Sequence, residues 1–164
     1  MGSIAVMVVA TQNFHTIDWL IRASDNSVFR SDAHELGDAR LRDLLRYLSS
    51  ELNRLYFREW NFAQLALGAA IVPLVARRRD ARRLHIFVGA MLTVVIVMAL
   101  WMTPEITAIG RRLDFVPRTP PPAELGRFWI LHAIYTSLEI VKVAIAFVVA
   151  AALARDSERS VQET

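Results

Sequence analysis

Apolar side chains in this chain gather into four long runs, at residues 4–21, 60–76, 84–103 and 128–154. A helix needs about 20 mostly apolar residues to cross a bilayer core of about 30 Å. The runs at 60–76 and 84–103 contain no Asp, Glu, Lys or Arg, the run at 4–21 contains one such residue and the run at 128–154 contains two. The pattern therefore predicts an all-α fold in which four helices cross a membrane.

A tryptophan lies near one end of each run. Trp19 comes near the end of the first, Trp60 opens the second, Trp101 nearly closes the third and Trp129 opens the fourth. Tryptophan prefers the membrane–water interface, and an up-down-up-down path brings all four to one face. We therefore predict an up-down-up-down four-helix transmembrane bundle over residues 1–155, with the four tryptophans at one level.

The turn at 77–83 indicates the orientation of the bundle. Its sequence, RRRDARR, holds five arginines, and basic residues favour the cytoplasmic side. We therefore predict a multi-pass protein of the cell membrane. Both termini and the 77–83 turn are expected in the cytoplasm, and the connections 22–59 and 104–127 outside it.

The first external connection has its own helical pattern. Leucines recur at helical spacing over residues 32–59 with charged residues between them, which predicts an amphipathic helix. No Gly or Pro interrupts 38–67, so this helix is expected to lead straight into span two. Its apolar stripe could lie on the membrane, pack on the external ends of the bundle, or face a partner.

Two further segments differ from the spans. The sequence Thr103-Pro104-Glu105 is typical of a cap and first turn, and predicts a short separate helix that ends at Gly110. The last residues, 156–164, are polar, and we expect them to form a disordered tail.

Composition narrows the function classes. Cysteine is absent, which excludes disulfides and thiolate chemistry. The net charge of +3 comes mainly from arginines in the connections, which suits membrane orientation better than nucleic-acid binding. None of the common catalytic or nucleotide-binding motifs is present, so no catalytic residue is predicted and enzymatic activity stays an open question.

Span four carries four polar side chains on one helical face: His132, Tyr135, Glu139 and Lys142. Charged residues in a span are costly unless they are paired or shielded. Glu139 and Lys142 are three residues apart and can pair with each other. Lys142 is also the only lysine of the chain. The pair is either a structural ion pair or a group that handles protons.

Other spans contribute polar side chains that we expect in the same outer half of the bundle: Gln12 and His15 from span one, and Asn61 and Gln64 from span two. Hydrogen bonds between helices would explain them. A cavity for a small polar ligand or an ion, open to the external side, is the alternative. His15 and His132 are expected at matched depth and could be the axial ligands of a haem. No other cofactor or metal is predicted.

Several of these pieces resemble the transmembrane-protein-205-like family (domain of unknown function 4149). The matching pieces are the Asn13-Phe14 pair, LNRLYFREWN before span two, TPEIT after span three and RFWILHAIYTSLEIVK in span four. His132 falls on the family's His, and Thr136 or Ser137 near its Ser. Glu139 and Lys142 depart from the usual apolar continuation, which suggests a distinct subgroup. The resemblance covers nearly the whole chain and implies a four-helix membrane protein without an established biochemical role.

Three functions follow from these patterns. The first is a structural or accessory subunit, or a scaffold, that associates with a membrane-protein partner or with further copies of itself. The second is a binder or transporter of a small ligand or an ion, which uses the polar cluster. The third is a haem-binding membrane protein.

Overall fold

The described part of the chain is helical. The computed structural model describes residues 2–77 and 82–162. Its elements are α1 (Gly2–Ala23), α2 (Ser27–Leu36), α3 (Asp38–Ala76), α4 (Arg82–Val97), a π-helical turn (Met98–Met102), α5 (Thr103–Arg112) and α6 (Glu124–Gln162). The prediction of an all-α fold is confirmed for these residues. The centre of the 77–83 turn, including Arg78 and Arg79, lies outside them.

Four helical stretches are long and apolar enough to cross a membrane: Gly2–Ala23, Asp38–Ala76, Arg82–Arg112 and Glu124–Ala151. Only 6 to 22% of the most apolar window of each stretch is buried inside the protein. Soluble monomers rarely leave apolar patches of this extent uncovered, whereas lipid tails would cover them. The chain therefore has the helices of a multi-pass membrane protein.

The residues gather into two compact units. The first unit comprises the described residues of Met1–Trp60 and Thr107–Leu125, and the second comprises those of Asn61–Ile106 and Gly126–Thr164. Each unit is described separately below.

In the first unit, α1 runs antiparallel to the first half of α3. Three pairs of polar side chains, spread along α1, define the register of the two helices. They are Asp18 with Arg42 (2.5 Å), Asn13 with Asn53 (2.7 Å) and Ser3 with the indole N–H of Trp60 (3.1 Å). Gly2 lies directly against the Trp60 ring, because a Cβ at that position would overlap the indole. The partner of α1 in this unit is thus the charged part of α3 that precedes span two.

This register separates Trp19 from Trp60. Trp19 follows Asp18, which pairs with Arg42. At about 1.5 Å per residue, Trp60 lies about 27 Å farther along α3 than Arg42. The prediction that all four tryptophans share one level is therefore wrong for Trp19. The apolar pattern of the first run gave no register, whereas its polar side chains find complementary partners on the amphipathic segment.

The amphipathic region consists of two helices. α2 ends at Leu36, and Gly37 follows with φ of +78°, a conformation that favours glycine. α3 then continues without a break from Asp38 to Ala76, as expected for a helix that leads straight into span two. The single helix predicted over 32–59 is therefore corrected: it is divided at Gly37.

In the second unit, span three passes directly into α5. Thr103 has helical dihedrals (φ −63°, ψ −46°), and its N–H donates to the Met98 carbonyl five residues back. Thr103 is therefore not the cap of a separate helix, because the helical backbone continues without interruption from the π-helical turn into α5. A π-bulge and a proline are each common causes of a helix kink.

The fourth span continues beyond its predicted end. α6 extends to Gln162, so residues 156–162, which we expected to be disordered, are helical. The physical reason is that no Gly or Pro follows Gly126 in α6 to end the helix.

Candidate ligand site

The charged pair of span four lies inside the second unit. Tyr135, Glu139 and Lys142 share one face of α6, since their spacings of four and three residues correspond to successive helical turns. Their residues are 5%, 2% and 4% exposed. The Lys142 ammonium donates to Glu139 Oε1 at 2.7 Å. The pairing that the sequence predicted is therefore present, and both charges are removed from solvent.

Lys142 also connects α6 to span two. Its Nζ donates to Gln64 Oε1 at 2.5 Å, so one ammonium group links two acceptors on different helices. A buried charge needs both a counter-ion and further hydrogen bonds to offset the loss of water. Gln64 supplies the second acceptor that Lys142 needs.

A second set of bonds lies nearer the start of spans two and four. The Tyr135 hydroxyl donates to Asn61 Oδ1 at 3.2 Å, and Asn61 Nδ2 donates to Thr103 Oγ1 at 2.7 Å. Asn61 is 3% exposed. Thr103 directly follows the π-helical turn at the end of span three. Its hydrogen bond with Asn61 therefore connects the third span to the network. Three spans are thereby connected through two buried side chains.

Two buried polar atoms of this cluster have no hydrogen-bond partner among the described residues: Glu139 Oε2 and Gln64 Nε2. One is a carboxylate acceptor and the other an amide donor. Most buried polar atoms in proteins are hydrogen-bonded. The cluster is thus nearly, but not completely, satisfied by its own side chains, and it can still accept one hydrogen bond and donate another.

The other predicted site residues have different settings. Gln12 and His15 lie on α1, in the first unit, with exposed side chains. His132 lies on α6, in the second unit, half-buried, with its ring stacked on Phe128 at a centroid distance of 5.9 Å. The cluster that the second unit brings together therefore consists of Asn61, Gln64, Tyr135, Glu139 and Lys142, with Thr103 added.

Sequence reasoning missed Thr103 in this cluster and Asn53 in the first unit. Thr103 was interpreted as a helix cap, because Thr-Pro-Glu is typical of a first turn. Asn53 was passed over, although its side chain accepts from Asn13 and donates to the Ala10 carbonyl at 3.1 Å. The available signal for Asn53 was an amide among the leucines of an amphipathic helix, which is costly there unless it has a partner.

Comparisons of the chain with protein-family models, with curated proteins and with solved structures find no match. The resemblance to the transmembrane-protein-205-like family therefore stays a prediction.

Proposed function

We propose that this chain is a multi-pass membrane protein that binds a small polar ligand or an ion at the polar cluster of spans two to four. The observation that carries the proposal is the pair of unpartnered atoms, Glu139 Oε2 and Gln64 Nε2, beside a buried ion pair. Ionisable residues inside a membrane are expensive, and they commonly mark a ligand or ion pathway. Since most buried polar atoms are hydrogen-bonded, these two atoms leave a place for a ligand that donates to Glu139 Oε2 and accepts from Gln64 Nε2.

The proposed topology follows an up-down path for spans two, three and four. Asn61, Thr103 and Tyr135 meet in one network, which supports placing the start of spans two and four beside the end of span three. The 77–83 turn then lies at the opposite end, and its arginines favour the cytoplasm. The Trp101 and Trp129 end of these spans is accordingly external.

The side of the amino terminus is the point on which two arguments differ. Up-down alternation of four spans predicts a cytoplasmic start. The hydrogen bond between Ser3 and Trp60 instead supports a start at the external end of span two. We propose the second arrangement, in which α1 flanks the external part of α3.

Unique cysteines test both the site and this topology, because the natural chain has none. Gln64→Cys in proteoliposomes should react with a small charged thiol reagent added to the external side, since the site has to admit a polar ligand. Leu67→Cys is the matched control, because Leu67 is 55% exposed on the same helix and would face lipid. A Gln64→Cys protein that reacts no faster than Leu67→Cys would contradict the proposed site.

The same approach decides the topology. Ser3→Cys and Arg118→Cys should both react from the external side, and Arg83→Cys only after the membrane is permeabilised. If Ser3→Cys is labelled only after permeabilisation, the result would contradict this arrangement and support up-down alternation of four spans with a cytoplasmic amino terminus. Labelling on intact cells, where the protein has a single orientation, avoids vesicles of mixed orientation.

A second candidate function is that of an accessory subunit with a membrane-protein partner. It is favoured by three leucines that stay exposed on the part of α3 before span two: Leu44, Leu48 and Leu55. Leu41 of the same stripe is buried, so one part of the stripe packs inside the protein and the other part stays open to a partner. This function predicts a stable larger assembly in mild detergent, measured by light scattering, and a monomer there would count against it.

A further inference from the structure

We propose that the species bound at the cluster is a proton, taken up at Glu139 Oε2 and exchanged with the external side only. This inference rests on the proposed function and deepens it.

The free oxygen can accept a proton while the hydrogen bond from Lys142 to Oε1 stays in place. Since the protonated carboxyl no longer balances the Lys142 charge, proton binding has to offset the cost of a buried, uncompensated cation. Lys142 occupies Oε1 of Glu139 at 2.7 Å, while Oε2 has no partner among the described residues. A hydronium ion that enters from the external side transfers its proton to Oε2, where an O–H bond forms, and a neutral water molecule is left. The Lys142 ammonium stays where it is, so the charge of the pair changes from zero to plus one.

The charges around the oxygen select against other ions. A metal cation at Oε2 would lie beside the Lys142 ammonium, and an anion would lie beside the Glu139 carboxylate, so each meets a like charge. A proton differs because it neutralises the carboxylate by a covalent bond. The Gln64 amide N–H, which is also unpartnered among the described residues, can donate to the oxygen of the neutral water molecule that remains after the proton has been transferred.

Few titratable groups face Glu139. On its own helix these are Lys142, Tyr135 and, two helical turns toward the start of the span, His132. The facing stretches, 61–76 of span two and 86–104 of span three, contain no Asp, Glu, Lys, Arg or His. Of these groups, Glu139 carries the buried oxygen without a hydrogen-bond partner among the described residues, so proton uptake at this place is assigned to Glu139.

The polar side chains stop part of the way along the spans. Beyond Gln64 and Lys142, the segments 65–76 and 143–151 contain only apolar residues, glycine and proline. In span three the one polar side chain over 86–97 is Thr93, and its hydroxyl donates to the Gly89 carbonyl of its own helix at 3.0 Å. No polar relay continues toward the cytoplasmic end in these segments, so a proton that enters from the external side leaves by the same side.

Infrared difference spectroscopy on proteoliposomes tests the uptake. Lowering the external pH should produce the C=O band of a protonated carboxylic acid in the natural protein. Glu139→Gln should remove this band, and Glu139→Asp, which keeps a carboxylate, should shift it. Glu59→Gln is the control, because the Glu59 side chain is 58% exposed, and it should leave the band unchanged.

A dye-loaded vesicle tests the one-sided exchange on the natural protein itself, whether or not the variants fold. An external acid pulse should acidify the lumen no faster than in vesicles without protein. Faster acidification would overturn the one-sided exchange. A spectrum in which no band depends on Glu139 would overturn proton binding, and reaction of Gln64→Cys with the external reagent would then leave the proposed function standing with another ligand.

Discussion

Replacing Lys142 with methionine removes the cation of a buried pair and leaves its partner carboxylate in place. The Glu139 side chain is only 3% exposed, and the pair distance is 2.7 Å. Removing one member of a buried ion pair costs about 3–5 kcal/mol, because an uncompensated charge remains. Gln64 also loses the donor at its Oε1, which adds about 1 kcal/mol. We therefore expect Lys142→Met to lower the free energy of unfolding by about 5 kcal/mol.

The double variant Glu139→Leu/Lys142→Met separates a charge effect from a packing effect. Replacing both members of a buried pair with apolar side chains is often neutral or stabilising, so the double variant should be more stable than either single one. Unfolding by increasing sodium dodecyl sulfate in mixed micelles, followed by far-ultraviolet circular dichroism, measures the difference. A double variant as unstable as Lys142→Met, or a single variant as stable as the natural protein, would refute the reasoning.

Three further predictions concern the first unit. Asn53→Ala removes the bonds to Asn13 and to the Ala10 carbonyl, and should cost about 2 kcal/mol in the same unfolding assay, while Gln12→Ala should cost little. Phe115 has a φ of +58°, a conformation that costs alanine energy but not glycine. Phe115→Gly should therefore be about 1 kcal/mol more stable than Phe115→Ala. Equal stabilities of the two variants would show that the conformation carries no strain. The hydrogen bond from Arg111, and then that from Arg54, lowers the pKa of Glu51 from its ordinary 4.5. The contribution of Glu51 to stability is therefore present above pH 4.5 and is lost as the pH falls through the lowered pKa; Glu51→Gln should flatten the unfolding profile in that acid range, and an unchanged profile would contradict the assignment.

The parts of the molecule that the sequence predicted well are those set by length and periodicity. Four apolar runs of sufficient length specify four candidate spans, because helical rise and bilayer thickness are fixed. The pairing of Glu139 with Lys142 follows from their spacing of three residues on one helix. Continuity of α3 through Trp60 followed from the absence of Gly and Pro, which are the usual helix breakers.

The parts that could not be predicted depend on register between helices. An apolar run does not state which neighbour it faces, so the partner of α1 had to come from the matching of Asp18 to Arg42 and of Asn13 to Asn53. The role of Thr103 depends on the π-helical turn before it, and such turns have no reliable sequence signal. Gly37 did carry a signal, since glycine commonly follows a helix end, but the leucine spacing on either side of it outweighed that signal.

Register also explains why the cluster uses lysine in a chain that otherwise uses arginine. Asn61 and Tyr135 are hydrogen-bonded, and Gln64 and Lys142 follow them on their helices by three and seven residues. At about 1.5 Å per residue, Lys142 lies about 6 Å farther along than its acceptor Gln64. A flexible four-carbon stem spans that difference and presents three donors around a single nitrogen. One nitrogen can therefore satisfy Glu139 and Gln64 together, whereas the planar fork of arginine favours two oxygens of one carboxylate. The geometry of the two acceptors thus favours lysine at this position.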